Sequence, residues 1–404
     1  MVSKKVIVAL CASVTLLLAG CAGTASGGSS SAGATGGTYN IYASLPVTGA
    51  LATTAKAEAT GLEAAVEDIN KNGGFGGRTA KLTVVDDQLD PAKAITLLQQ
   101  QIDSQKPDLV MAGITSNVAL ALIPLTTRNE IVTMTLGQSS KINDPATNPY
   151  AFSPTVPNTE DAKSVTQYLL GKGIKKVGVL TANDANGTDT GAAYTAAFKA
   201  AGIDVEADSY APADIDMTAP LERLRAGNPD SLVIQAFGPP TGYILSGITK
   251  IGWTLPVVGG ISISAGNNLG TVSTAADWKN LTLSAYPINT DKRDTSTAAY
   301  KALSSYLQSS GVKLTNGLNQ VADSFDLLQI AKLGVDQAGA VDAASVTKAL
   351  EGLQAVNGEK PYVRFGNVTQ DFTPQSHFLG VTAKDAYVFV KAGPYVDGVI
   401  QSAN

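Results

Sequence analysis

The chain has 404 residues, with 29 Lys and Arg against 34 Asp and Glu, and a formal net charge of −5. At 44% hydrophobic and 16% charged residues it is too apolar to stay disordered, and the absence of a dense basic patch argues against a nucleic-acid partner. Both cysteines, Cys11 and Cys21, precede residue 22 and the only histidine is His377, so a disulfide scaffold, a thiolate zinc site and a histidine-rich metal centre are excluded from the rest.

Lys4 and Lys5 precede an apolar run from Val6 to Leu18, the form of a secretory signal. The run is shorter than the roughly 20 residues a membrane-crossing helix needs. It ends in Leu18-Ala19-Gly20-Cys21, which resembles the bacterial lipoprotein processing box. That resemblance implies a signal peptide over residues 1–20, cut just before Cys21, and an acyl chain (palmitate among them) on the Cys21 thiol. Ala22 to Gly37 contains only Ala, Gly, Thr and Ser, which build no core. Residues 21–38 therefore read as a lipidated cysteine and a flexible tether spanning about 20 Å. The expected location is the outer face of the bacterial cytoplasmic membrane.

From Tyr39 onward short apolar runs alternate with helical periodicities. Tyr39–Leu45 predicts a strand and Ala52–Asn70 a helix, with Leu62, Ala65, Val66 and Ile69 on one face. A strand over Ala80–Val85 precedes a helix opened by Pro91 behind the cap Asp90. Leu109–Ala112, Asn117–Thr127 and Ile131–Leu136 continue as strand, helix, strand. The alternation repeats: helices over Asp161–Leu170, Asp189–Ala201, Met217–Ala226 and Thr241–Ile251 interleave with strands over Lys176–Thr181, Val205–Tyr210, Ser231–Ala236, Leu255–Gly259 and Leu281–Tyr286. The fold class is α/β: two similar lobes, each an open parallel sheet covered on both faces. Helices over Thr295–Ser309, Gln320–Lys332 and Ala344–Leu350, with strands over Tyr362–Phe365 and within Phe378–Lys391, are too sheet-poor for a third lobe. They are expected to complete the first two. The chain then crosses three times, near Pro154–Asn158, Tyr286–Thr290 and Gly366–Phe372, making a hinge beside a cleft. Lobe I is expected over residues 39–156 plus 289–366, and lobe II over 157–288 plus 367–404.

No catalytic constellation emerges. The glycines of Gly73–Gly77 follow a helix and precede a strand, the reverse of a dinucleotide loop, and read as a turn with positive φ. His377 lies far from any nucleophile signal and reads as a surface or partly packed residue. Asp86 and Asp87 are neighbours on a strand end and point to opposite faces, which suits turn formation and solvation better than a carboxylate pair. What remains are strand-end loops rich in small polar residues: Ser44–Ala52, Gly113–Asn117, Leu136–Lys141 and Ala182–Asp189. The unpaired N–H groups of helix starts and the hydroxyls of Thr115, Ser116 and Ser139 suit reversible capture of a small molecule rather than bond making. No enzyme activity, cofactor or metal is expected.

At these residues the chain resembles the periplasmic binding proteins of branched-chain amino-acid ABC importers, the Leu/Ile/Val-binding family with the type 1 fold. The resemblance rests on Ser44-Leu45-Pro46-Val47-Thr48-Gly49, on Gly61 to Asn70 followed by Gly73-Gly74, on Val85-Asp86-Asp87 with Asp90-Pro91, and on Lys175 to Leu180 with Asn186-Gly187. It implies two α/β lobes on a three-crossover hinge, closing on a ligand that an ABC permease then receives. It places first-lobe contacts on Thr115, Ser116, Asn117, Gly137, Gln138 and Ser139 and second-lobe contacts on Asn186, Phe237 and Ile261, with Leu51 and Tyr243 as further walls. The family's amino-acid binders favour a tyrosine where Asn186 stands and an acidic residue near Gly259–Ser262, where this chain has none. A buried ammonium without a partner is costly, which leaves room for a neutral or acidic small organic molecule, aromatic compounds included, beside an amino-acid-like or carboxylate ligand. A sensor or scaffold signalling to a membrane partner is the alternative function, and a surface hydrolase the least favoured.

Overall fold

Eight residues from Thr38 to Leu45 form β1, and their alternation builds the first lobe. Tyr39, Ile41, Ala43 and Leu45 face one hydrophobic cluster, while Tyr42 faces another on the opposite side of the sheet. A strand buried on both faces needs helices above and below it. In this computed structural model, which describes residues 36–265, 269–314, 317–353, 363–364, 372–380 and 386–401, α1 (Ala52–Lys71), β2 (Thr79–Asp86), α2 (Pro91–Ser104), β3 (Leu109–Ala112), α3 (Ser116–Arg128), β4 (Val132–Met134) and β5 (Ala151–Phe152) follow in turn. The first sheet is parallel throughout, in the order β2-β1-β3-β4-β5.

The second lobe repeats the winding. It comprises α4 (Asn158–Gly171), β6 (Lys176–Ala182), α5 (Ala185–Ala200), β7 (Asp204–Tyr210), α6 (Thr218–Ala226), β8 (Ser231–Ile234), α7 (Pro240–Lys250), β9 (Val257–Gly259), the short helices α8 (Ile261–Ala265), α9 (Leu269–Val272) and α10 (Ala275–Trp278), and β10 (Leu281–Ala285). Then come α11 (Ala298–Ser310), α12 (Leu318–Ala338), α13 (Ala343–Leu350), β11 (Val388–Lys391), and a hairpin of β12 (Tyr395–Val396) and β13 (Val399–Ile400). The second sheet runs β11-β10-β9-β8-β6-β7, with only β11 antiparallel. Each sheet thus reverses its winding beside its first strand, between β1 and β3 and between β6 and β8. Ligand crevices in open α/β sheets form at such reversals, outside the carboxyl ends of the strands.

The late helices pack on the first lobe. Gly61 lets α1 approach the backbone of α12 at Val321, where any Cβ would overlap the carbonyl. Leu62, Val321, Phe325 and Leu328 are all buried in that seam. The glycine turn after α1 has φ of +90° at Gly73, +72° at Gly74, +52° at Gly76 and +82° at Gly77, the left-handed region in which glycine carries no Cβ penalty.

Several expectations are corrected. The strand predicted over Ile131–Leu136 stops at Met134, because the Thr135 hydroxyl takes the Gly137 N–H and donates to the Ala112 carbonyl, drawing the chain out of the ladder. Val363 and Arg364 are bends rather than strand. Their backbone N–H groups are held by the buried Asp326 carboxylate at 2.6 and 3.0 Å. The third crossing does not occur by residue 372. Phe378 pairs in parallel with Ser153 beside β5, and Phe372 packs on Phe152, so residues 372–380 belong to the first lobe. Residues 366–371, within the expected crossing, lie outside the described residues, as do the expected signal peptide and Cys21. His377 is not a surface residue: it is 2% exposed, stacked on Phe152 at 3.9 Å, with its ring nitrogens at the Ala151 carbonyl and Glu351. Asp87 is likewise buried rather than solvated, because it accepts from the Ser44 hydroxyl at 2.7 Å and the Leu89 N–H at 2.8 Å.

Candidate functional site

The carboxyl-end loops of the two sheets face one another. From the first lobe, Gly113 turns the chain out of β3 at φ +71°, a conformation that favours glycine, and delivers Thr115 and Ser116 to the start of α3. Ser116 is 2% exposed. Its hydroxyl oxygen accepts from the N–H groups of Gln138 and Ser139 at 3.2 and 3.1 Å, tying the loop after β4 to the loop after β3. Gly137 packs closely here: a Cβ would stand 2.5 Å from the end of the Ile142 side chain and 3.2 Å from the Ser116 backbone. The Thr115 hydroxyl is buried without a hydrogen-bond partner beside the resulting cavity.

From the second lobe, the Asp184 carboxylate caps α5 through the Gly187 N–H at 2.8 Å. The turn after β8 presents Gln235, Ala236 and Phe237. Phe237 is 37% exposed, a large aromatic kept out of the core at the cavity wall. Beside the cavity, hydrogen bonds link the lobes: Ser116 Oγ donates to Asn186 Oδ1 at 3.3 Å, Asn117 Nδ2 donates to Asp184 Oδ2 at 3.2 Å, and Asp189 accepts from the N–H and hydroxyl of Ser140 at 3.0 and 2.5 Å.

Between these loops lies a void of about 870 Å³, counting its open mouth. Leu51, Thr115, Ser116, Asn117, Gly137, Gln138, Asn186 and Phe237, all named from the sequence, line it. An inner arm of about 540 Å³ shares Leu51, Thr115, Gln138 and Phe237 with it and adds Ile261. Two sequence candidates fall elsewhere. Ser139 is fully buried behind the wall, its N–H given to Ser116, and Tyr243 packs with the second-lobe core.

Other wall residues escaped the sequence. Leu89 reaches the cavity because Asp86 and Asp87 hold the backbone N–H groups of Gln88 and Leu89 in the left-handed region, at φ +55° and +63°. The segment Gly259–Ser262 contains no acid, yet one lies behind it. Asp161 of α4 accepts from Tyr194 Oη at 2.6 Å, Gln235 Nε2 at 3.3 Å and Ser284 Oγ at 3.4 Å, and burial pushes its carboxyl up to about 6. Because Gln235 donates to Asp161, its carbonyl oxygen is left to Ser262, which lines the cavity. Glu58 and Asp323 bring two more carboxylates to the inner arm. The sequence does carry a sign of Glu58: it interrupts the apolar stripe Ala55, Leu62, Ala65, Ile69 at helical spacing.

Among the described residues no group of three or more His, Cys, Asp or Glu side chains is placed to hold a metal, and no helix is long and apolar enough to cross a membrane.

The geometry has counterparts. Residues 38–386 match the model of the family described as periplasmic binding protein. The chain belongs to that family. A relative, the Leu/Ile/Val-binding protein BraC3 of Rhizobium johnstonii, is 25% identical over 345 residues, covering 83% of this chain and 89% of the relative. The solute-binding protein of an ABC transporter from R. palustris, solved in complex with 4-hydroxybenzoate, superposes with a TM-score of 0.77 at 18% identity, covering 91% of this chain and 96% of that one. The branched-chain amino acid transporter substrate binding protein LivJ from Streptococcus pneumoniae, solved with isoleucine, gives 0.71 at 20% identity over 88% and 99%. Family and fold are those of extracytoplasmic ligand-binding receptors, and the two sheets are the paired lobes of the type 1 periplasmic binding fold.

Proposed function

We propose that this protein captures a small polar organic solute between its lobes and delivers it to the permease of an ABC importer. The observation that carries this reading is the pair of winding reversals facing one another across a single cavity, with hydrogen bonds running from lobe to lobe beside it. A solute seated there touches Thr115, Ser116, Asn117, Gly137 and Gln138 on one side and Asn186 and Phe237 on the other, with Leu51 as an apolar wall and Ile261 in the inner arm. Only the closed arrangement offers both sets of contacts, so the solute shifts the population toward closure. Cys21, lipidated and followed by a flexible tether, keeps the receptor at the outer face of the cytoplasmic membrane, within reach of its permease. No cofactor takes part.

A thermal-shift screen over amino acids, amides, carboxylates, amines and aromatic acids tests the reading, since a ligand at 100 times its Kd stabilises the folded state by about 2.7 kcal/mol. The reading predicts a saturable response to at least one class, weakened by Thr115→Ala and Gln138→Ala. A confirmed ligand whose affinity neither substitution changes would place its site elsewhere.

A further inference from the structure

The inner arm of the cleft differs in chemistry from the outer cavity. The outer void is walled by Leu51, Leu89, Phe237 and three prolines along with small polar groups. The inner arm is lined by Glu58 of α1, Asp323 of α12 and Arg364, together with Thr54, Asn319 and Gln320. All three charged residues are at least nine-tenths buried, so their pairing decides what the arm accepts.

Both terminal nitrogens of Arg364 are engaged. Nη1 pairs with Asp323 Oδ1 at 2.5 Å, Nη2 donates to the Pro154 carbonyl, and the guanidinium lies 5.0 Å from the centre of the Tyr286 ring. A ligand carboxylate would have to displace Asp323 to reach Nη1. Asp323 is further held by Asn319 Nδ2 at 3.3 Å. Glu58, by contrast, accepts a hydrogen bond from the Ser324 hydroxyl and, among the described residues, pairs with no cation. Among the described residues the arm therefore carries two carboxylates against one guanidinium that is already committed. An unpaired buried carboxylate is costly unless a proton or a cation neutralises it.

We propose that the inner arm is a subsite for a protonated amino group seated on Glu58, so that this receptor selects amine-bearing solutes. The inference rests on the receptor reading above and specifies its ligand class. It decides against the neutral or acidic ligand for which the lack of an acid at Gly259–Ser262 left room, because the carboxylate comes from α1 instead. Thr54, Thr115 and Gln320 line the same arm and supply further polar groups around Glu58. A proton accompanies the exchange. Burial, with repulsion from Asp323, holds the Glu58 carboxyl well above its usual range, opposed by Ser324 and Arg364. Asp323 and Arg364 are the charged groups acting on Glu58 from the elements around it. The empty subsite therefore keeps its proton, and an arriving ammonium releases it to the buffer.

The test compares probes that differ at one end only: pentanoate, 5-hydroxypentanoate and 5-aminopentanoate, and 4-methylbenzoate beside 4-(aminomethyl)benzoate. Titration calorimetry on the whole processed protein is expected to show the amine of each set binding at least about tenfold more tightly than its partners. In Glu58→Gln the ratio is expected to fall toward one. With wild type, repeating the amine titration in buffers of different ionisation enthalpy is expected to show release of up to about one proton, a readout that does not depend on the variant folding. Equal affinity of hydroxyl-, methyl- and amine-ended probes, an amine preference that survives Glu58→Gln, or amine binding without proton release overturns the subsite. Binding of non-amine probes alone overturns it while leaving the receptor reading in place, and binding of no probe counts against both.

Discussion

Asp189→Ala isolates closure from contact. Asp189 does not line the cavity, yet its carboxylate accepts two hydrogen bonds from Ser140 of the other lobe, at 3.0 and 2.5 Å, and one from Asn158 Nδ2 at 2.8 Å. Only the Ser140 bonds are broken on opening. Each hydrogen bond to a charged group contributes about 1.5–3 kcal/mol when shielded, and less at a half-exposed site, so about 2 kcal/mol for the two together is a fair magnitude. That energy belongs to the closed state. Removing it raises the apparent Kd of any cleft ligand by up to roughly 30-fold, the full factor applying when the ligand-free receptor is mostly open. The loss should fall mainly on the dissociation rate, since the bonds form after the ligand has entered. Stopped-flow and calorimetric titration with a ligand from the screen measure both constants, and the melting temperature without ligand controls for folding. An unchanged Kd and dissociation rate in a well-folded Asp189→Ala protein would refute the argument that the Ser140–Asp189 contact helps hold the lobes together.

Three further outcomes are expected. Burial holds Asp161 up to about 6 and Asp326 up to about 7, against an ordinary value of 3.8. The folded state therefore binds more protons than the unfolded one in that window, and these two groups make stability rise as pH falls from about 7 toward 4. Urea melts across that range should show the rise, and Asp161→Asn should reduce it; a slope unaltered by Asp161→Asn would contradict the assignment. Gly61→Val forces α1 away from the α12 backbone and should cost at least about 2 kcal/mol of unfolding free energy, measured by denaturant titration. Ser116→Ala strands the N–H groups of Gln138 and Ser139 and removes the link to Asn186. It should lower stability by about 1–3 kcal/mol and weaken ligand binding as well, whereas equal binding by the folded variant would remove Ser116 from the site.

The two-lobed α/β plan was legible because most strands of the two sheets carry a concentrated signal: Leu109–Ala112 is wholly buried, and Asp90 with Pro91 marks a helix start by its own chemistry. The ends of elements were harder to read where tertiary contacts set them. β4 stops early because of the Thr135 hydroxyl, and α12 outruns its expected span because it is buried along most of its length between α1 and α13. β5 has only two residues, too few for a periodicity. At the site, loops following strands exposed Thr115, Gln138 and Asn186, since strand ends are local features. The charged inner arm was not legible as a unit. Glu58, Asp323 and Arg364 are separated by up to about 300 residues and meet only when α12 lies along α1.

The central claim is that one small solute touches both lobes at once. The most direct test is the structure of the protein with a ligand from the screen. The account predicts that the ligand lies between Thr115–Gln138 and Asn186–Phe237, in contact with each side. A ligand bound by one lobe alone, or outside the cleft, would contradict it.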